Sequence, residues 1–195
     1  SGGNINYNGW ANVRQAIAGG SVGNLGKHAS YSMPGAALLV CAPSSGNRAG
    51  ISTTTRTTED NGYTNTFGGT SAAAPMVSGT VALMLQANPQ LTWRDVQHIL
   101  VKTAVRVDPD DADWTRNATK RPVNHKYGFG RIDAGAAVGL ALNWPRVAAE
   151  TSVSSVQSGA RTIPNGTGDA LESKAAIGTD LSVEHVEVTL NLDHK

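Results

Sequence analysis

The clearest hydrophobic stretch in the first half of the chain is Ala36–Ala42, which is bounded by Pro34-Gly35 and by Pro43. A continuous apolar run of strand length predicts a strand buried on both faces, as in a parallel sheet covered by helices. The segment that follows, Ser44–Thr66, is rich in Gly, Ser, Thr and Asn and predicts surface loops with short edge strands. Within it, Ile51–Thr55 is the best strand candidate because β-branched residues dominate it.

Helical patterns dominate the middle of the chain. Ser71–Ala87 is apolar nearly all round, which predicts a buried helix rather than a surface one. Pro75 lies in its first turn, where a missing N–H costs little. Thr92 predicts the N-cap of a second helix, with Asp95 three residues on as an imperfect capping box. A third helix is predicted to start near Asp133 and to run through Leu142.

The composition changes after Trp144-Pro145. Residues 148–181 lack a hydrophobic period and are predicted to be a linker. From residue 182 apolar and polar positions alternate, which predicts a half-buried strand at the start of a second, β-type domain covering 182–195. Residues 1–147 form the first domain. The chain opens without Met or a signal peptide and closes on a strand with no partner after it, so we expect a piece cut at both ends.

Composition narrows the classes of function. Charged residues make up 16% of the chain, against roughly 25% in average soluble proteins, and this low charge content argues against disorder. The net charge is +1 and Lys and Arg do not cluster, which argues against a nucleic-acid interface. The longest mostly apolar run, Ala134–Leu142, is too short to span a bilayer. The single cysteine, Cys41, excludes an internal disulfide framework and a thiolate zinc site.

An acidic run carries one candidate metal site. Its spacing, D-x-D-D-x-D, has a calcium-loop character but lacks the Gly and Glu that follow in an EF-hand. A solvated acidic loop is the alternative, and we favour it. The run comprises Asp108, Asp110, Asp111 and Asp113.

The segment with the sharpest chemical character is Gly68–Pro75, with the sequence Gly-Gly-Thr-Ser-Ala-Ala-Ala-Pro. Glycines allow a substrate and the backbone to approach closely. A helix N-terminus offers free N–H groups and a positive dipole end, which favour a developing oxyanion. Ser71 therefore has two interpretations: it is either the N-cap of the helix or a nucleophile placed at its start.

This segment resembles the nucleophile motif of the subtilisin superfamily, Gly-Thr-Ser-x-x-x-Pro leading into a buried helix. The resemblance extends along the chain in the expected order. Leu91–His98 is similar to the next helix of the kexin/furin branch, and Asn124–Gly130 is similar to that branch's closing segment. Val183–Val188 looks like the opening strand of the P domain (Homo B domain) that follows kexin-type catalytic domains.

The resemblance implies an α/β fold, a three-layer subtilisin-like domain with a mainly parallel sheet. Residues 1–147 would be the C-terminal part of this catalytic domain, and 182–195 would start a β-sandwich P domain. In that family the nucleophilic serine, Ser71 here, is acylated by a peptide substrate, while a His acts as general base and an Asp orients it. The implied partners are a polypeptide substrate, the other half of the catalytic domain and the P domain. The implied location is secreted or extracytoplasmic.

The Asp and His motifs of that family are absent from this sequence. There is no His-Gly-Thr, Asp-Ser-Gly or Asp-Asp-Gly, so we expect these 195 residues alone to be inactive. The histidines, each in a different context from the family motif, are predicted to be structural or surface residues: His28, His98, His125, His185 and His194.

The resemblance also places a substrate pocket and a calcium ligand. The pocket walls would come from Asn8, Gly9, Ala36 and Thr70. The family usually has Asp at the position of Asn8, where a carboxylate pairs with a substrate arginine, so a basic preference is in question here. The family usually has a calcium-binding Glu at the position of Met33. A thioether does not ligate a hard cation, so we expect no metal ligand in this chain, although the family binds calcium.

Two alternatives to a protease segment stay open. A parent protein with altered Asn8 and Met33 positions would be a catalytically dead pseudoprotease that serves as a binding module. The intact nucleophile motif around Ser71 argues against it. An orphan fragment without function is the other alternative, and such a fragment would aggregate when expressed alone because half a sheet leaves strand edges and core exposed.

Overall fold

The computed structural model describes residues 3–56, 58, 60–156, 159, 161–162 and 171–190. The chain divides into two units, Ser1–Val147 and Ala148–Lys195. Short 3-10 helices lie at Ile5–Tyr7 and Asp60–Gly62. In chain order the strands and helices are β1 (Ala18–Val22), β2 (Leu38–Pro43), β3 (Ile51–Thr54), β4 (Tyr63–Phe67), α1 (Thr70–Ala87), α2 (Trp93–Thr103), β5 (Thr115–Arg116), β6 (Pro122–Val123) and α3 (Ala134–Ala141).

The centre of the first unit is the parallel pair β1–β2. The apolar run expected to form a buried strand does so as β2, in which Val40, Cys41 and Ala42 are fully buried. Cys41 also bonds through its backbone to the segment at Gly130 and Ile132, with N–H···O distances of 2.9 Å on both sides. β2 is therefore hydrogen-bonded along both of its edges, and its residues are buried or half-buried.

The other two strand pairs are antiparallel. β3 pairs with β4 and β5 pairs with β6, while the strand predicted at Ile51–Thr55 is observed as β3. The structure thus contains one parallel pair and two short antiparallel pairs among the described residues. The mainly parallel sheet remains an expectation drawn from the resemblance.

Helix α1 packs against β1, β2 and α3 through one face. Ala73, Val77, Thr80 and Met84 follow helical spacing and are buried. The opposite face is exposed, and Leu83 is 50% accessible. The prediction of a helix buried all round is therefore wrong for the described part of the chain, because the sheet and α3 cover one side and no described element covers the other.

Helices α2 and α3 complete the core. Thr92 caps α2 as predicted, and the capping box is complete, since the Thr92 hydroxyl accepts from the Asp95 N–H while the Asp95 carboxylate accepts from the Thr92 N–H. Ile99 and Leu100 point inward and are at most 1% accessible. Asp133 caps α3 by accepting a hydrogen bond from the Ala136 N–H at 2.9 Å.

Two carboxylates of the acidic run, Asp108 and Asp111, are paired with donors rather than solvated. Asp111 accepts hydrogen bonds from the Lys126 ammonium at 2.6 Å and from the Asn124 amide at 3.0 Å. Asp108 accepts from Lys27 and from the Tyr127 hydroxyl. The side chains of Asp108 and Asp111 are only 9% and 11% accessible. The solvated-loop interpretation is wrong for Asp108 and Asp111, because these carboxylates fold inward onto basic and hydroxyl donors from distant segments, whereas Asp110 is exposed.

The second unit differs from its predicted form. Residues 171–190 contain no helix or strand, and Val183, Val186 and Val188 are between 65% and 78% exposed. A strand needs a hydrogen-bonded neighbour, and no described segment pairs with this one. The alternation of polar and apolar residues is therefore not realised as a strand over 182–190. Residues 191–195 lie outside the described residues, and the P-domain assignment remains a prediction.

Among the described residues, no helix combines the length and hydropathy that a membrane crossing requires.

Candidate active site

Ser71 is the second residue of α1, and only Thr70 separates it from the Gly68-Gly69 turn. The N-cap is Gly69, which has φ 75° and ψ 176°, a conformation that only glycine adopts without strain. The Ser71 side chain is exposed and makes no hydrogen bond to the described residues. Ser71 is therefore not the cap of this helix, and its hydroxyl is available for chemistry.

The backbone around Ser71 supplies an electrostatically favourable site. The first N–H groups of a helix have no partner within it. In α1 the Ala72 N–H bonds back to the Gly69 carbonyl at 3.0 Å, which leaves the Ser71 N–H at the positive end of the helix dipole. The N–H and the hydroxyl of Ser71 therefore lie at the positive end of the helix, where the negative charge that develops on the carbonyl oxygen during acyl transfer would be stabilised.

No described histidine hydrogen-bonds to Ser71. His125 instead pairs with Asp113, with Nδ1 3.0 Å from Oδ1. His28 packs edge-on against the Tyr127 ring, and burial lowers the pKa of its imidazole. A general base for Ser71 is therefore not formed by the described residues, and His194 lies outside them.

Side chains from the end of β2 support the nucleophile loop, and sequence reasoning missed them. The Ser44 hydroxyl donates to the Gly69 carbonyl at 2.6 Å, and the Gly69 N–H donates to the Ser45 hydroxyl at 3.3 Å. The Tyr31 hydroxyl contacts both serines. A Cβ on Gly68 would lie 2.0 Å from the Ser45 Oγ, so this loop fits directly against β2's end. Ser44 and Ser45 are more than 20 positions from Gly69 in sequence. The only sequence signal for this contact is the Ser-Ser pair that follows the predicted buried strand.

The residues predicted to line the pocket lie on three segments. The structure brings the Asn8 and Ala36 segments together, because the Ile5 N–H donates to the Pro34 carbonyl at 2.9 Å and the Ala37 N–H donates to the Asn6 amide oxygen at 2.9 Å. Ala36 is exposed beside this contact.

Thr70 is exposed and adjoins Ser71 as the first residue of α1. Gly9 is open, with no atom within 4 Å of a Cβ placed on it. Asn8 does not reach Thr70 or Ser71 through a hydrogen bond. Its amide oxygen accepts from the N–H groups of the next residues in its own turn, Trp10 at 3.0 Å and Ala11 at 3.1 Å.

Met33, at the position where the family usually has a calcium-binding Glu, carries a thioether instead of a carboxylate. Met33 is 40% accessible, and its sulfur lies against Gly3. A thioether is a soft donor that hard cations do not select. Among the described residues, no three His, Cys, Asp or Glu side chains converge on a possible metal position.

Comparison with known proteins identifies the family. Residues 1–130 match the model of the subtilase family, peptidase S8. Kexin of Saccharomyces cerevisiae is 35% identical over 201 residues, covering 98% of this chain and 24% of kexin. The human proprotein convertase subtilisin/kexin type 7 is also 35% identical over 201 residues, covering 98% of this chain and 26% of that protein. The chain thus spans about a quarter of the length of these relatives.

The fold agrees with solved structures. The serine protease of Aeromonas sobria superimposes with a TM-score of 0.63 at 24% identity, over 69% of this chain and 30% of that protein. At this identity the match shows a shared α/β fold. Together with the sequence matches and the Gly-Thr-Ser turn at the start of α1, it leads to one assignment: the chain belongs to the subtilase family of serine proteases, in its kexin/furin branch.

Proposed function

We propose that this chain carries the nucleophile segment of a serine endopeptidase that hydrolyses peptide bonds through an acyl-enzyme on Ser71. The single observation that carries the proposal is the placement of Ser71. Its hydroxyl is exposed and free of described partners, at the positive end of α1, behind a glycine turn that leaves room for a substrate.

The general base and its orienting carboxylate come from the part of the protein outside these 195 residues. Two observations support this division. The described histidines make no hydrogen bond to Ser71, and the relatives are about four times longer than this chain. Without a base Ser71 is an ordinary alcohol, so the 195 residues alone are inactive.

The exposed face of α1 is where the missing half of the catalytic domain packs. This face contains Ala74, Ser78, Ala82 and Leu83. A mostly apolar helix with one open face needs a covering layer to reach the burial typical of a protein core. The P domain is the second expected partner, as in the kexin branch.

The substrates we propose are polypeptide precursors in a secreted or extracytoplasmic compartment. The human relative is named a proprotein convertase, and this substrate class is carried over from it. Asn8 argues for a weaker demand for a basic residue at the cleavage site than a carboxylate would impose. An amide hydrogen-bonds to a guanidinium but does not neutralise it, and the Asn8 oxygen already accepts two backbone N–H groups. Calcium, if the whole protein uses it, is not held at Met33.

Labelling with a fluorophosphonate probe tests the proposal. The probe is applied to the protein extended upstream of residue 1 and to the 195-residue chain, with Ser71→Ala and Ser78→Ala variants of the extended protein. Ser78 is a matched control because it lies on the same helix and its hydroxyl donates to the Ala74 carbonyl at 3.2 Å. The expected result is labelling of the extended protein that Ser71→Ala abolishes and Ser78→Ala preserves, with no labelling of the 195-residue chain.

A pseudoprotease is the second candidate, favoured by Asn8 and Met33. A folded extended protein that fails to label would support it and would contradict the endopeptidase. Partner capture by that protein would then be the next measurement.

A further inference from the structure

Three hydroxyl groups and one glycine form a closed ring of hydrogen bonds beside the nucleophile. The Gly69 N–H lies 3.3 Å from the Ser45 Oγ, and the Ser45 Oγ lies 3.1 Å from the Tyr31 Oη. The Tyr31 Oη lies 2.9 Å from the Ser44 Oγ and 2.6 Å from the Ser45 carbonyl oxygen. The Ser44 Oγ lies 2.6 Å from the Gly69 carbonyl oxygen. The contacts begin and end on the same residue, Gly69.

The donor and acceptor roles of the Gly69 groups give the hydrogen bonds of this ring one direction. A carbonyl only accepts and an N–H only donates, so the Ser44 hydroxyl donates to the Gly69 carbonyl and the Gly69 N–H donates to the Ser45 hydroxyl. The Ser45 proton is then free to go to the Tyr31 Oη. The Tyr31 proton is shared between the Ser44 Oγ and the Ser45 carbonyl. Each serine hydroxyl donates once, the single Tyr31 proton is divided between two acceptors, and removing the Tyr31 hydroxyl breaks the ring at its middle.

The ring acts on the residue that sets the start of α1. Gly69 has a positive φ and is the N-cap, and its carbonyl also accepts the first hydrogen bond of the helix from the Ala72 N–H. The ring therefore holds both the N–H and the carbonyl of Gly69, and the first hydrogen bond of the helix holds the carbonyl as well. Gly68 is packed onto the Ser45 side chain. Ser44 is in turn anchored to β1, since its N–H donates to the Val22 carbonyl at 2.8 Å.

We propose that Tyr31 is a positioning residue for catalysis, which acts through Ser44 and Ser45 to fix the Gly69 peptide groups and thereby the direction of the Ser71 hydroxyl and N–H. This inference rests on the proposed function, because it concerns the reactivity of Ser71. Small displacements of a reacting group cost on the order of 100-fold in rate. A rigid Gly69 prevents such displacement, whereas an isolated glycine turn is flexible.

The test compares Tyr31→Phe, Ser45→Ala and the double variant in the extended protein. Tyr63→Phe serves as the control, because Tyr63 is an exposed tyrosine on β4 that takes no part in the ring. The readouts are the rate of Ser71 labelling by the fluorophosphonate, kcat and KM on a peptide, and the hydrogen-exchange rate of the Gly69 amide by NMR. We expect Tyr31→Phe to lower the labelling rate and kcat roughly tenfold, with KM changed less than about twofold.

Non-additivity separates positioning from general stability. Because the ring acts as one unit, the double variant should lose no more than about twofold beyond either single variant. Gly69 amide exchange should speed up in both single variants and not in Tyr63→Phe. Wild-type kcat and labelling in Tyr31→Phe would overturn the inference. If the wild-type extended protein does not label, that result contradicts the proposed function rather than the role of Tyr31. The exchange rate of the Gly69 amide then tests the ring, and an unchanged rate in Tyr31→Phe would overturn the inference.

Discussion

The indole N–H of Trp144 donates a 2.9 Å hydrogen bond to the Oδ1 of Asp95, a carboxylate with no accessible surface. The same oxygen accepts from the Val147 N–H at 2.8 Å, while Oδ2 accepts from the N–H and hydroxyl of Thr92. The Asp95 side chain therefore completes the capping box of α2 and also holds the last residues of the first unit against that helix.

Asp95→Asn should destabilise the extended protein by about 2–4 kcal/mol, because an amide has one acceptor oxygen and places its NH₂ group against donors that the second carboxylate oxygen now satisfies. Thermal unfolding of the extended protein measures it. Asp110→Asn is the control, since Asp110 is exposed and hydrogen-bonds to none of the described residues. Equal melting temperatures for both variants would contradict the role of Asp95.

Stability should fall in acid between about pH 4 and pH 2. Burial alone would raise the pKa of Asp95, but its hydrogen bonds to Thr92, Val147 and Trp144 outweigh burial and lower the pKa to about 2 from an ordinary 3.8. The hydrogen bond from Lys126 likewise lowers the pKa of Asp111 to about 2. A depressed carboxylate pKa contributes stability above the unfolded-state value, and that stability is lost as pH falls through the folded-state value.

The measurement is the denaturation midpoint of the extended protein from pH 6 to pH 2. Asp111→Asn should reduce the acid slope and cost on the order of 1 kcal/mol at pH 7, since the Asp111–Lys126 hydrogen bond is charge-assisted yet the lysine is partly solvated. An unchanged slope would show that Asp111 contributes nothing to acid sensitivity. Asp110→Asn again provides the control.

The exposed face of α1 yields a prediction about assembly. Ala82→Lys should destabilise the extended protein by about 2 kcal/mol or more, because it would bury a charge under the covering half of the domain. Gln90→Lys, an exposed site just after the helix, should be neutral. Circular dichroism melts decide between them. If Ala82→Lys is also neutral, the face of α1 remains open in the whole protein.

The 195-residue chain alone should aggregate or lack fixed tertiary packing, because no described part of it covers the exposed face of α1. Size-exclusion chromatography and near-UV circular dichroism test this expectation. A sharp cooperative melt of a monomer would contradict it and would mean that the β1–β2 pair and one helix layer suffice as a core.

Local patterns accounted for the elements that are stabilised locally. β2 was predictable because an apolar run of strand length between prolines favours a buried strand over a helix. The starts of α2 and α3 were predictable because Thr92 and Asp133 are strong N-caps. The Gly-Thr-Ser turn was recognisable because its sequence matches the nucleophile motif of the family, and the positive φ of Gly69 explains the glycine there. These features depend on residues within about five positions of one another.

Features that depend on distant partners were mispredicted or missed. Asp108 and Asp111 looked solvated because Lys27, Tyr127 and Lys126 are brought to them only by folding. The outer face of α1 was predicted to be buried because its residues are apolar. Hydrophobicity alone does not show whether the residues that would cover this face are part of these 195 residues. The hydroxyl ring around Tyr31 was missed because a serine that holds a remote glycine has the same sequence signature as a serine in a surface loop.

Gly68→Ala offers the sharpest test of how the nucleophile loop is supported. A Cβ there would lie 2.0 Å from the Ser45 Oγ and 2.4 Å from the Ser45 Cβ, so the loop must move away from β2. We expect a loss of about 1–3 kcal/mol in stability and of about 100-fold in the labelling rate of Ser71. Gly139→Ala is the control, because no atom lies within 4 Å of its Cβ position in α3. It should stabilise the protein by about 0.5–1 kcal/mol through helix propensity.

The double variant Gly68→Ala/Ser45→Gly distinguishes crowding from lost positioning. Removing the Ser45 side chain makes room for the new methyl group, so stability should recover in large part. The Ser45 hydroxyl that receives the Gly69 N–H is then gone, so labelling should stay at least tenfold below the wild-type rate. Recovery of both quantities together would mean that steric room alone governs Ser71, and that the Gly69 hydrogen bond to Ser45 has no part in its reactivity.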